Sequence, residues 1–326
     1  MNKILLFEQR INREIELFCQ QFPADPIELY EPIRYVLTHG GKRARPLIVL
    51  SGCDLFGGNI EQAIIPALGI EFFHNFTLIH DDLMDNAPLR RNRPTVHEKW
   101  NKSISVLSGD AMLVEAYQLL SKTNADQLAR ILPVFNTTAM QVCEGQQMDM
   151  NYEKIHKISI AQYLKMIELK TAALIAASFK IGALIGGARE EDAQRLYDFG
   201  KNLGIAFQIQ DDLLDVYGDE KKVGKQKGGD IIANKKTYLL TKAMTLANSY
   251  TSEELNNWIQ APNFDPRQKV EAVTAIYNFL NIHDITVKEV KKYNDIALSH
   301  LEGIPVNGAK KEELLVFAQS LASREK

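Results

Sequence analysis

Residues 72–85, FFHNFTLIHDDLMD, and residues 204–215, GIAFQIQDDLLD, each carry apolar side chains at helical intervals and end in three aspartates. At about 100° per residue, Asp81 and Asp85 stack on one face of a helix with Asp82 offset to the side, and His74 and Thr77 fall on the Asp81 face. Phe72, Phe76, Ile79 and Leu83 gather on the opposite face, where a core would lie. In the second segment Gly204, Phe207, Gln208, Asp211 and Asp215 share a stripe, while Ile209 and Leu213 point away. Carboxylates near a helix C-terminus are disfavoured by the macrodipole. Two of them about 4 Å apart repel by about 1 kcal/mol in water and about 4 kcal/mol at an effective dielectric near 20. Stability does not account for two such triplets, and bound cations do. An all-carboxylate, hard-oxygen donor set suits Mg2+ or Mn2+, and Mg2+ commonly completes its shell with water and substrate phosphate oxygens. The candidate ligands are the six carboxylates of Asp81, Asp82, Asp85, Asp211, Asp212 and Asp215. A calcium loop fits poorly, because it alternates oxygen ligands around a central glycine.

The same helical period extends outward. Stretches 104–121, 125–148, 159–187, 190–217 and 266–302 repeat apolar residues every three or four positions, with Pro and Gly falling mostly between them. No linker divides the chain, so residues 1–326 read as one all-α domain, a bundle of about a dozen helices. The chain is 45% hydrophobic and 24% charged, which excludes global disorder. Its net charge of −3 argues against a nucleic-acid binder living on a basic surface. The three cysteines, Cys19, Cys53 and Cys143, point to a reducing compartment. With no signal-peptide core and no apolar run near the roughly 20 residues of a membrane span, the expectation is a cytoplasmic protein without membrane insertion.

A metal–diphosphate site also needs direct cations. Gly40-Gly41-Lys42-Arg43-Ala44-Arg45-Pro46 offers a glycine pair that lets backbone N–H groups approach an anion, followed by three basic residues; a solvated basic turn reads the same way. Arg90 and Arg91 follow Asp85 closely. Lys170 interrupts an apolar helix, either as a ligand contact or as a snorkelling side chain. Residues 218–236, rich in Lys and Gly, are either a solvated loop or a lid over an anion, and carry Lys225 and Lys235.

With DDLMD, DDLLD, GGKRARP, RRNRPTVH and FQIQDD together, the sequence resembles the trans-isoprenyl diphosphate synthases, or polyprenyl synthetases, over roughly residues 25–300. The resemblance implies a single isoprenoid synthase fold, helices around a central cavity, in a protein that is usually a homodimer. It implies head-to-tail condensation of isopentenyl diphosphate with C5 to C15 allylic diphosphates, dependent on Mg2+ (about three ions, with Mn2+ able to substitute). By resemblance, Lys42, Arg45, His74 and Arg91 contact isopentenyl diphosphate, and Arg90, Lys170, Thr171, Gln208, Lys225 and Lys235 contact the allylic diphosphate. Asp81, Asp85, Asp211, Asp215, Arg90, Lys170 and Lys225 are the implied catalytic set, and the implied metal ligands are Asp81 and Asp85, with Asp82 in support, and Asp211 and Asp215. Two positions depart from the pattern: Asn92 and Asn234 stand where glycine is common, and Asn tolerates left-handed backbone.

Phe76 and Thr77, just before the first motif, resemble those of geranylgeranyl-forming (C20) short-chain members; a C15 farnesyl product is the alternative. The helical wheel turns Phe76 more than about 100° from Asp81, so Phe76 is either a cavity floor or plain core. A class I terpene cyclase and a non-catalytic prenyltransferase subunit are the rival readings. A second DDxxD and the basic GGKRARP patch weigh against the first, and two intact acidic motifs weigh against the second.

Overall fold

In the computed structural model, which describes residues 3–218 and 227–322, several helices start at side chains that cap them. Asn59, Asn101, Thr237, Asn248 and Asp265 each accept a backbone N–H in the first turn that follows, and Ser159 forms a capping box with Gln162. The helices are α1 (Lys3–Gln21), α2 (Ile27–Thr38), α3 (Ala44–Leu55), α4 (Ile60–Met84), α5 (Val96–Lys99), α6 (Lys102–Ser121), α7 (Ala125–Glu153) and α8 (Ile160–Ile167). A π-helical turn (Glu168–Ala172) leads into α9 (Ala173–Ile185), followed by α10 (Glu190–Tyr217) and α11 (Gly229–Ile232). The chain ends in α12 (Tyr238–Leu246), α13 (Ser249–Gln260), α14 (Pro266–Phe279), α15 (Ile282–Glu302) and α16 (Gly308–Ala322).

The all-α expectation holds, with two local differences. Helix 266–302 is broken: Asn281 takes a left-handed φ of 54° and starts α15 afresh. A two-stranded ribbon also appears, in which β1 (Leu89–Arg90) pairs antiparallel with β2 (Arg93–Pro94). Its loop residues, Arg91 and Asn92, have φ of 52° and 61°, the two positive values that a type I′ hairpin needs. Strands of two residues are too short to show alternation, so the sequence pattern could not reveal them.

The structure divides into two compact units, 1–136 with 177–196 and 137–176 with 197–326. In the first, α4 packs on α3 and α6; Leu68, Ile70, Phe72 and Phe73 are all buried, which makes this stretch of α4 a central helix covered on every side. Leu83, expected in the core, is only partly covered. In the second, Ile209 and Leu213 of α10 join Tyr163, Leu239, Leu255, Tyr277 and Ile282 in one apolar cluster. Cys19, Cys53 and Cys143 are free thiols. Among the described residues no helix is long and apolar enough to cross a membrane.

Candidate active site

In the first unit, α4 delivers the first aspartate triplet at its C-terminal end, and Asp85 is the capping residue. The three carboxylates are treated differently. Asp82 is 5% exposed, Asp81 is half-buried and Asp85 is exposed. Arg90 Nε donates to both oxygens of Asp82, at 2.9 and 2.7 Å, while its Nη2 stands 3.7 Å from Asp81. Burial raises the Asp82 pKa and the Arg90 hydrogen bond opposes that shift. Asp82, expected among the metal ligands, is thus engaged by a guanidinium inside the protein.

The hairpin that carries Arg90 also grips the glycine loop. Arg91 Nη1 donates to Gly40 O, and Arg93 Nη1 lies 2.6 Å from His39 Nε2. Gly41, at φ +126°, leaves room for the Arg91 guanidinium: a Cβ there would stand 2.6–2.8 Å from its Nη1, Nη2 and Cζ atoms. Here glycine is required twice over, by the backbone and by the close approach.

The three cations of Lys42-Arg43-Ala44-Arg45 separate into different roles. Lys42 is exposed. Arg43 is buried and structural, paired with Glu71 at 2.8 Å and bonded to Asn12 and to Leu37 O. Arg45 Nη1 meets His74 Nε2 at 3.0 Å. A guanidinium can only donate, so this geometry assigns Nε2 as the acceptor and leaves the His74 proton on Nδ1. Burial, then Arg45, Arg91, Arg90 and Arg43 in turn, drives the His74 pKa well below its usual range, so the ring is neutral. Burial brings Arg45 down to about 10, with Glu71 opposing and Arg91 adding, and it stays a cation at neutral pH. Its Nε is buried without a hydrogen-bond partner. A buried donor left unsatisfied costs about 1–3 kcal/mol, and an anion would satisfy it.

In the second unit α10 delivers the other triplet, and the pattern repeats. Asp212 is 4% exposed, whereas Asp211 and Asp215 are half-buried. Asp212 accepts from Tyr163 OH at 2.6 Å, Tyr238 N at 2.8 Å and Gln208 Nε2 at 3.1 Å. Burial and then Asp230 push its pKa up to about 7 against those hydrogen bonds. Asp215 Oδ2 accepts from Asp230 N at 3.1 Å. Thr171 donates its hydroxyl to Gln208 Oε1 at 3.1 Å, and Lys170 Nζ reaches Asp149 at 2.6 Å. Both Lys170 and Thr171 sit on the π-helical turn, an insertion that rotates side chains out of the regular helical register. Lys235 is exposed beside Asn234, which is left-handed at φ 54°. Lys225 lies outside the described residues, with the rest of 219–226 in the expected lid.

Each triplet therefore turns its middle aspartate inward and sets its first and third one helical turn apart on a more open face. Among the described residues no group of three His, Cys, Asp or Glu is close enough to cage an ion. The donor set fits Mg2+ in the manner that ion favours, one or two protein carboxylates with water and phosphate oxygens supplying the rest.

The family model for polyprenyl synthetases matches residues 26–278. The chain belongs to the polyprenyl synthetase family. It is similar to a geranylgeranyl diphosphate synthase of Saccharolobus solfataricus, 36% identical over 305 residues that cover 91% of each protein. A crystal structure of a geranylgeranyl pyrophosphate synthase superimposes with a TM-score of 0.94 at 37% identity, covering 100% of both chains. The Corynebacterium glutamicum geranylgeranyl pyrophosphate synthase, complexed with isoprenyl diphosphate and magnesium, does so at 0.85 and 26% identity, covering 97% of this chain and 96% of that one. This polyprenyl synthetase therefore has the all-α isoprenoid synthase fold.

Several of its site residues escaped the sequence pattern. Tyr163, Tyr238 and Asp149 lie in no motif, and their link to Asp212 and Lys170 is purely spatial. The only sequence cue was the Lys170 charge inside an apolar helix, which requires a partner. Phe76 is 9% exposed, its ring 5.6 Å from Phe73 and 4.8 Å from His80, while Thr77 bonds His74 O at 2.7 Å.

Proposed function

We propose that this polyprenyl synthetase condenses isopentenyl diphosphate head-to-tail with C5 to C15 allylic diphosphates and releases geranylgeranyl diphosphate, with farnesyl diphosphate as the alternative product. The observation that carries the reading is the buried, unsatisfied Arg45 Nε beside a neutral His74. It makes a receptor for a second anionic substrate, which a condensing enzyme requires and a cyclase does not. The names of the relatives support C20.

In this reading Lys42, Arg45, His74 and Arg91 hold isopentenyl diphosphate, and His74 serves as a neutral hydrogen-bonding group. Asp81, Asp85, Asp211 and Asp215 hold Mg2+, with Asp82 and Asp212 orienting the helices that carry them. Bound Mg2+ supplies charge neutralisation as diphosphate departs from the allylic carbon. Arg90, Lys170, Lys225 and Lys235 position that diphosphate. Thr171 and Gln208 direct oxygen dipoles at the allylic cation, which the isopentenyl double bond attacks; the proton lost afterwards passes to the released diphosphate. We further propose that residues 1–326 act as one catalytic domain, that the protein is cytoplasmic, and that it forms a homodimer through the exposed Val106, Leu107 and Val114 of α6.

Mass analysis of products from isopentenyl diphosphate with C5, C10 and C15 primers, with Mg2+ and again with EDTA, tests the assignment. Elongation that stops with EDTA and returns with Mg2+ is expected. Asp81→Ala or Asp211→Ala should each lower turnover by about 10²–10³-fold without altering the helical circular dichroism spectrum. Cyclised products, no product, or metal-independent condensation would sink it.

A further inference from the structure

Lys269 belongs to no motif, yet it is 1% exposed. It lies in the first turns of α14, where a cation faces the positive end of the helix dipole. Burial lowers its pKa, the mark of an ammonium that water no longer stabilises. Both effects are costs, so neither helix stability nor solvation explains a lysine there. Among the described residues its contacts are neutral: Nζ donates to Asn234 Oδ1 at 2.7 Å, stands 3.4 Å from Ile232 O, and lies 4.1 Å over the Phe264 ring.

Asn234 is the residue that departs from the glycine common at its position. It keeps the left-handed backbone that glycine would give, at φ 54°, and adds an amide with two uses. Its Oδ1 accepts from Lys269 on α14, and its Nδ2 donates to Ile259 O on α13 at 3.1 Å. Asn234 N donates to Ile231 O and Lys235 N to Asp230 O, at 3.2 and 3.0 Å, so the turn that closes α11 moves with Asn234. From the other end of that turn, Asp230 N donates to Asp215 Oδ2. An unbroken chain of contacts runs from the Lys269 ammonium to a carboxylate of the second acidic motif.

We propose that Lys269 is a positioning residue: acting through Asn234, it fixes the segment Asp230–Lys235 against Asp215 and so sets the second acidic motif for a metal-bound diphosphate. The inference rests on the prenyltransferase reading for the identity of that ligand. Its mechanism is geometric, because Lys269 itself is enclosed by Asn234 and Phe264.

Two variants test it. Lys269→Met keeps the apolar stem and removes the ammonium; Asn234→Gly keeps the left-handed backbone and removes the amide. Calorimetry would follow Mg2+-dependent binding of inorganic pyrophosphate, alongside KM for each substrate and the thermal midpoint. Loss of one charge-assisted hydrogen bond should weaken pyrophosphate binding about tenfold in either variant. The allylic KM should rise in parallel while the isopentenyl KM stays within about twofold of wild type, and the double variant should be no worse than Lys269→Met alone. Unchanged binding with only a lower thermal midpoint, equal rises in both KM values, or additive effects would overturn the proposal. The binding arm needs no turnover, so an inactive wild-type chain would count against the prenyltransferase reading alone.

Discussion

The Tyr163 hydroxyl donates to Asp212 Oδ2 across 2.6 Å, joining α8 to the middle of the second acidic motif. Asp82 stands in the same relation to Arg90. In each motif one carboxylate of three is spent on holding the helix, and the outer two are left on the more open face.

Tyr163→Phe removes that hydroxyl and leaves a buried carboxyl short of a donor. The expected cost is about 1–3 kcal/mol of stability, read from urea unfolding midpoints. Asp212→Asn in the Tyr163→Phe background should lose less than in wild type, because the two groups share one interaction. Fully additive losses would show that the contact contributes nothing.

Gly41→Ala strains a backbone at φ +126° and pushes a methyl group into the Arg91 guanidinium. The isopentenyl diphosphate KM should rise about tenfold, since one displaced phosphate contact is worth about 1.4 kcal/mol. The allylic KM should hardly change. A rise confined to the allylic substrate would contradict the assignment of this loop.

His74 sets a pH dependence whose sign follows from its depressed pKa. Below about pH 6.5 the unfolded chain protonates this histidine while the folded one does not. The unfolded state then binds more protons, so stability falls as pH drops below that point and is constant above it. Thermal midpoints measured from pH 7.5 down to 5 should fall more steeply for wild type than for His74→Gln. Parallel curves would mean that the ring is protonated in the folded protein.

Phe76→Ala tests the length of the product. The ring packs between Phe73 and His80, so its removal should cost about 3–5 kcal/mol. If it also closes the growing chain's pocket, products longer than C20 should appear. An unchanged product distribution with lowered stability would make it core alone.

Helix positions were legible because a helix is a local object. The intervals in 72–85 and 204–215 place Asp81 with Asp85 and Asp211 with Asp215 from the 3.6-residue turn alone. The break at Asn281 was invisible, since the apolar period runs on through it and no Gly or Pro marks the spot. The π-helical turn was equally hidden, because one extra residue per turn leaves composition untouched. Asn92 was the better clue: an asparagine after Arg91 permits the left-handed turn that the ribbon uses.

Composition, period and motif spacing were enough to establish an all-α protein whose paired carboxylates suit a divalent cation and whose basic loops suit diphosphates. The division of labour inside each motif came only from the folded chain. Arg43 and Arg45, two residues apart, differ because Glu71 awaits one and His74 the other. Asp212 turns inward because Tyr163, 49 residues away, meets it. Such partnerships depend on which surfaces the packed helices bring within 3 Å, and no local repeat encodes that distance.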